Sequence, residues 1–242
     1  MKKVATDNLV LEVTRKCNMN CAHCLRGNAE DKDISFDLID ILLDNIDSIN
    51  MITFTGGEPS LNVKALKYFR EQVIKREIFV GGFYIVTNGK ENVLELVSEV
   101  LQLYAYCSEC DPYDAQEFSG LALSLDNFHE AVPIFHKNIL KGLAFFRDDK
   151  IINFSEELII NEGRALENKI GNKNLEYNNI CSVSVDSDKK VVQAEDIVYI
   201  NVNGDVILDC DLSYSSQGKF KIGNLFNGNL SDILLDYSKI AA

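Results

Sequence analysis

No apolar run in this 242-residue chain approaches the length needed to cross a bilayer. The start, MKKVATDNLVLEV, is basic but lacks an apolar stretch leading to a small-residue cleavage site. These absences make a soluble cytoplasmic protein the expectation. A sustained basic stripe is missing as well. The 24 Lys and Arg face 37 Asp and Glu, a formal charge of −13, and such a surface repels phosphate backbones and disfavours nucleic acid as a substrate. There is no internal repeat or low-complexity tract. With no export signal, the seven cysteines read as thiols in a reducing compartment, where metal binding or catalysis outranks disulfides. A hydrophobic content of 46% suits one sizeable core with room for a small appendage.

What is present is alternation. Asn8–Thr14 reads as a buried strand, and Ser35 as the N-cap of a helix with Phe36, Ile39, Leu42, Leu43 and Ile46 on one face. A second strand (Met51–Thr55) precedes a helix capped at Asn62, and a third (Gly81–Gly89) precedes a helix from Asn92 to Tyr104. Gly120–Asp126 and a helix from about Glu130 to Phe146 repeat the unit, with Pro133 in the first turn, and Ile151–Ile160 suggests a fifth strand. This alternation predicts an α/β fold with a parallel sheet covered by helices, its strands buried on both faces. Beyond residue 165 a polar, Asn-rich stretch leads to two apolar runs around Asn203-Gly204, a hairpin signal, and to a last helix at Leu230–Tyr237.

Three cysteines, Cys17, Cys21 and Cys24, fall within eight residues directly after the first strand. Their spacing, C-x3-C-x2-C, admits a zinc knot, an iron–sulfur cluster or a redox pair with a spare thiol. A closed zinc site wants a fourth ligand, and His23 sits too tightly between its neighbours to join them on one ion. Three thiolates on a four-iron cluster would leave one iron open to a ligand. The second feature, "FTGGEPSL", puts Gly56, Gly57, Glu58 and Pro59 at the end of the second strand. Paired glycines suggest close approach of backbone to a ligand, and Glu58 suits a cationic amine; the plain alternative is a strand-to-helix turn. Parallel α/β folds assemble sites at these strand ends.

In order and spacing, Asn8 to Arg164 resembles the radical S-adenosylmethionine (radical SAM) superfamily, whose signature is C-x3-C-x2-C after the first strand and GGE after the second. The resemblance implies a partial (β/α)6 barrel core over 1–165. The rest of the barrel and a small hairpin-plus-helix extension, similar to twitch or SPASM segments, would occupy 166–242. It implies a [4Fe-4S] cluster on Cys17, Cys21 and Cys24, with S-adenosylmethionine chelating the fourth iron and its amino group bound by Gly56, Gly57 and Glu58. Reductive cleavage would yield a 5′-deoxyadenosyl radical that takes hydrogen from a substrate. Further cofactor contacts implied by relatives are Thr87 and Asn88 ("TNG"), Ser124 and Asp126 ("SLDNFHE"), Arg164 ("GRA"), and His23, at a position usually aromatic whose backbone meets the adenine. Each of these is otherwise a turn or cap residue. His129 could donate a proton or simply cap a turn.

The resemblance further implies a flavodoxin- or ferredoxin-type electron donor and, from the C-terminal hairpin and the GRA element, a peptide or small-protein substrate. The alternatives are an activase of glycyl-radical enzymes and a non-catalytic iron–sulfur or regulatory protein. The remaining cysteines, Cys107, Cys110, Cys181 and Cys210, could form a second metal site, an auxiliary iron–sulfur cluster or zinc, or be buried free thiols. No cysteine follows Cys210, so the usual SPASM ligand set is incomplete.

Overall fold

The computed structural model describes residues 2–148, 158–174, 181–186, 188 and 190–241. The first strand, β1 (Val4–Thr14), is flanked on one side by β2 (Ile46–Gly56) and on the other by β7 (Val191–Ile200), both parallel to it. Outward from β2 follow β3 (Phe79–Thr87), β4 (Gly120–Leu123) and β5 (Phe146–Arg147), all parallel. On the far side, β6 (Val183–Asp186) and β8 (Asp205–Ile207) pair antiparallel with β7, and β9 (Lys221–Asn224) with β8. The nine strands form a single mixed sheet in the order β5-β4-β3-β2-β1-β7-β8-β9, with β6 beside β7, so the path of described strands is open rather than closed. The Asn203-Gly204 hairpin is thus continuous with the core sheet. Gly204 sits at φ +78° and its N–H donates to Asn201 O at 2.9 Å.

The helices connecting these strands are α1 (Phe36–Asp44), α2 (Val63–Lys75), α3 (Val93–Cys110), α4 (Pro112–Phe118) and α5 (Ile134–Lys141). Three more follow: α6 (Gly163–Glu167), α7 (Tyr214–Phe220) and α8 (Leu230–Ala241). The Ser35 hydroxyl does cap α1, accepting from Leu38 N–H at 3.1 Å. The helix stops ten residues on, because Asn45 closes it and Ile46 begins β2; the expected helical position of Ile46 is corrected to strand. Phe36 stays exposed and stacks on Tyr68 at 4.2 Å between ring centroids. α3 runs six residues past the expected Tyr104, since Leu96, Val100, Leu103 and Cys107 continue one buried stripe at helical spacing. Pro133 stands at the N-cap of α5 rather than inside its first turn.

The fifth strand of the sheet is Phe146–Arg147, not Ile151–Ile160. Residues 151–157 of that expected strand lie outside the described residues, and Ile160 makes only an isolated parallel bridge to Lys173. Burial on both faces holds for most of β1 but not for β2 and β3. Ile52 and Phe54 are buried in the main core, whereas Thr53, Thr55, Tyr84 and Val86 line a cavity on the opposite face. No described helix is long and apolar enough to cross a membrane.

Candidate functional site

A cavity of about 390 Å³ opens at the C-terminal ends of the central parallel strands. The cysteine loop after β1, the GGE turn after β2, Asn88 after β3, and Ser124 and His129 after β4 all contribute to its wall, as do Ile160 and Arg164. Strands that run in parallel deliver these loops to one edge, so residues over a hundred positions apart share one wall.

The glycines of the GGE turn are explained by backbone contact within the chain. Gly56 sits at φ +141°, and a Cβ there would lie 1.9 Å from Thr14 O; a Cβ on Gly57 would lie 2.2 Å from Lys16 O. The β1–β2 ladder then continues past the strand ends, with Gly57 N–H donating to Thr14 O (2.9 Å) and Glu58 N–H to Lys16 O (2.8 Å). The turn is therefore clamped to the residues immediately before Cys17. These glycines make room for the cysteine loop itself, and both also line the cavity.

Glu58 is buried, and its carboxylate joins two strand ends. Oε1 accepts from Ser60 N–H (3.0 Å) and the Thr87 hydroxyl (2.7 Å), and Oε2 accepts from Asn88 N–H (2.7 Å). Burial pushes the Glu58 carboxyl above its usual range against the pull of these hydrogen bonds. A carboxylate has room for about four acceptor contacts, so one place remains on Oε2. Pro59 begins the short 3-10 helix Pro59–Asn62, for which Glu58 is the N-cap. Asn88 reaches back to the cysteine loop, its Nδ2 donating to Asn18 Oδ1 at 2.8 Å.

The other end of the cysteine loop is held by the GRA element. Gly163 at φ +52° packs where a Cβ would meet Leu25 O at 2.3 Å and Cys24 O at 2.7 Å, and Arg164 N–H donates to Cys24 O at 2.9 Å. The Arg164 guanidinium hydrogen-bonds Asn20 Oδ1 through Nη1, while its Nε is buried without a hydrogen-bond partner among the described residues. Burial raises the Cys17 thiol and pushes Cys21 up to about 11, with Arg164 pulling both down. Three such thiols lining one cavity are a donor set for a soft metal centre, which would hold them deprotonated. A carboxylate with a free acceptor place at Glu58 and the guanidinium of Arg164 on the same cavity wall suit the ammonium and carboxylate of an amino-acid moiety.

Ser124 N–H donates to Thr87 O at 2.9 Å, joining the third and fourth strand ends. Asp126 is engaged by its own turn and by two imidazoles. Oδ1 accepts from Phe128 N–H (2.8 Å) and His129 N–H (3.1 Å) and lies 2.7 Å from His129 Nδ1, and Oδ2 lies 3.3 Å from His23 Nε2. Burial alone would raise Asp126, but the His129 and Phe128 hydrogen bonds outweigh it and hold the carboxyl below its usual range.

Residues the motifs did not flag complete the setting. Arg26, two positions after Cys24, lines the cavity, donates to Leu212 O at 2.7 Å and lies over the Tyr199 ring at 5.3 Å. Behind the loop, Glu12 accepts from Arg15 Nε (2.7 Å), Tyr199 OH (2.5 Å), Gln217 Nε2 (2.9 Å) and Val202 N–H (3.3 Å). Only the CxxCxR spacing offered a signal for Arg26; apart from Arg15, the partners of Glu12 lie 187 to 205 residues away.

The scattered cysteines are not brought together. Cys107 is in the apolar stripe of α3 and Cys110 ends that helix; Cys181 Sγ contacts Glu195 O at 3.1 Å, and Cys210 packs near Val10, Tyr199 and Leu212. Cys107 and Cys110 lie on the β3 side of the sheet and Cys181 beside β7, so a four-thiolate site built from all four is corrected to separate thiols.

Residues 9–107 match the family model described as a 4Fe-4S single cluster domain, a range that contains all three loop cysteines and the GGE turn. Over 64 residues the chain is 44% identical to an uncharacterized protein of Methanocaldococcus jannaschii, covering 25% of this chain and 22% of that one. Over 101 residues it is 34% identical to the tungsten-containing aldehyde ferredoxin oxidoreductase cofactor-modifying protein of Pyrococcus furiosus, covering 39% and 27%. The matches thus span about a quarter of the length of these relatives. Among solved structures, Streptococcus suis SuiB bound to precursor peptide SuiA aligns at TM-score 0.39 and 15% identity over 93% of this chain and 64% of that one. The enzyme anSMEcpe with bound AdoMet aligns at 0.41 and 13% over 95% and 77%. The chain resembles the radical SAM superfamily in motif and motif order, and the matched domain model is that of a 4Fe-4S cluster.

Proposed function

We propose that this chain is a radical SAM enzyme acting on a peptide or small protein. A [4Fe-4S] cluster on Cys17, Cys21 and Cys24 would supply the electron that cleaves S-adenosylmethionine to methionine and a 5′-deoxyadenosyl radical, which abstracts hydrogen from the substrate. The observation that carries the reading is the clamp between the GGE turn and the cysteine loop, which places Glu58 and all three thiols on one cavity. Glu58 Oε2 would receive the cofactor's ammonium, with Thr87, Ser60 and Asn88 fixing the carboxylate in place. Arg164, on the same cavity wall, would face its carboxylate. Gly56, Gly57 and Gly163 keep the loop seated so that the three sulfurs hold one geometry. Asn88 and Ser124 stand on the wall where the ribose would lie, and His23 lines the same cavity, where its main chain would meet an adenine. The peptide assignment is supported by the hairpin followed by "KIGN" and by the GRA element. A cofactor-sized substrate is the second reading, favoured by the similarity to a cofactor-modifying protein.

The test is anaerobic incubation of reconstituted protein with dithionite and S-adenosylmethionine. 5′-Deoxyadenosine should form, and its formation should vanish in the Cys17/Cys21/Cys24→Ala variant. Iron-loaded protein that forms none overturns the reading.

A further inference from the structure

This chain has three histidines, and two of them converge on one carboxylate beside the cavity. One ligand atom each from His23, Asp126 and His129 lies within 4.8 Å of the other two. The side chains are mostly buried, at 23%, 23% and 15% exposure, and both imidazoles line the same cavity as the cysteine loop.

The separation of His23 Nε2 from Asp126 Oδ2 is informative. At 3.3 Å it is longer than the ~2.7–2.9 Å of a charge-assisted hydrogen bond. It matches the edge of a tetrahedron whose ligands stand ~2.0–2.1 Å from a central zinc. The carboxylate is positioned by its own turn, whose two main-chain N–H groups donate to Oδ1, and His129 Nδ1 lies 2.7 Å from the same oxygen, a hydrogen bond that a bound cation would replace. The His23 ring is steadied against Phe128, with centroids 4.5 Å apart, and against His129 at 5.2 Å. Three side chains from two separate loops are therefore fixed by local structure with their ligand atoms facing each other.

We infer that His23, Asp126 and His129 form a binding site for a divalent transition cation, distinct from the three-cysteine centre. Two imidazoles and a carboxylate suit zinc, cobalt or nickel rather than the soft thiophilic metals, and are a poor match to magnesium or calcium, which want oxygen ligands. Three protein ligands leave a fourth position, and because both imidazoles line the cavity, that position is open to an oxygen of a molecule bound there. The site needs only side chains and does not depend on the proposed radical chemistry.

The test uses reconstituted, iron-loaded protein given zinc anaerobically and then desalted, with zinc and iron measured in the same sample. About one zinc per chain should be retained, with an X-ray absorption first shell of nitrogen and oxygen at ~2.0–2.1 Å rather than sulfur at ~2.3 Å. His129→Gln and His23→Phe should each lower zinc retention at least tenfold while iron stays at the wild-type level, which also reports that the variants fold. Cys210→Ser, which alters the other group of gathered ligand atoms (Asp209, Cys210, Asp211), should leave zinc unchanged. A sulfur-dominated shell, zinc retained by both histidine variants, or no retention by the wild type would overturn the assignment. 5′-Deoxyadenosine formation that fails while zinc binding persists would refute the proposed function and leave this site standing.

Discussion

Behind the cysteine loop, Glu12, Arg15, Tyr199, Asn201 and Gln217 are hydrogen-bonded to one another, whereas in front of it Glu58 and Arg164 keep hydrogen-bonding capacity in reserve. The rear is buried. Arg15 uses Nε for Glu12, Nη1 for Glu30 and Nη2 for Gln217, and lies over the Tyr214 ring at 4.4 Å. The front is an open cavity with three thiols on its wall. A buried ionic network gains little net stability over an apolar core but imposes one arrangement on the groups it joins. A loop holding a cluster on three sulfurs, as proposed, would need that rigidity on the side away from the cavity. It would also need unspent hydrogen-bonding capacity on the side facing the cavity.

The largest expected effect comes from breaking the rear. Arg15→Met leaves Glu12 buried with its charge unpaired and should cost about 3–5 kcal/mol in denaturant unfolding. A loss below about 1 kcal/mol would show that water replaces the arginine. Gly56→Ala comes next, at about 3 kcal/mol, because it combines a disfavoured φ with a clash against Thr14 O; iron retained per chain should fall with it. Front-side changes should separate activity from stability. Glu58→Gln turns an acceptor into a donor against Asn88 N–H, at about 1–3 kcal/mol, and should lower 5′-deoxyadenosine formation at least tenfold with iron content kept. Equal activity at saturating S-adenosylmethionine would remove Glu58 from the cofactor site. Thr87→Val should cost about 1–2 kcal/mol, since Glu58 loses a donor and Gly89 N–H loses an acceptor. The smallest effect belongs to the scattered thiols. Cys110→Ser and Cys181→Ser should leave iron near four per chain, and a fall from about eight would restore a second cluster.

Much of this was legible from local pattern. The C-x3-C-x2-C loop, the GGE turn, the Ser35 cap and the Asn203-Gly204 hairpin depend on neighbours within a few residues, and spacing reports such neighbours directly. The boundary between α1 and β2 was not, because "DNIDSI" continues the helical period while Ile46 and Ile49 belong to the strand. Cys107 looked like half of a ligand pair, yet its spacing from Leu103 and Val100 is that of a core stripe. For the GGE turn, sequence marked two positions that need no side chain, but not that the backbone before Cys17 is one of the neighbours that needs the space. A requirement for no side chain looks the same whether a ligand or the chain's own backbone fills the space.

Sequence by itself determined the donor set: three thiols after one strand and a carboxylate after the next, on elements whose alternation brings them to one sheet edge. Tertiary structure alone decided how that set is held and what else joins it. Gln217 meets Arg15 across 202 positions, Tyr199 meets Glu12 across 187, and His23 meets Asp126 on a different loop. The physical reason is range. Caps, turns and ligand spacings are settled by torsions and bonds among adjacent residues, whereas buried polar partners are settled by which strands lie side by side. In this sheet, that means β7 taking its place beside β1.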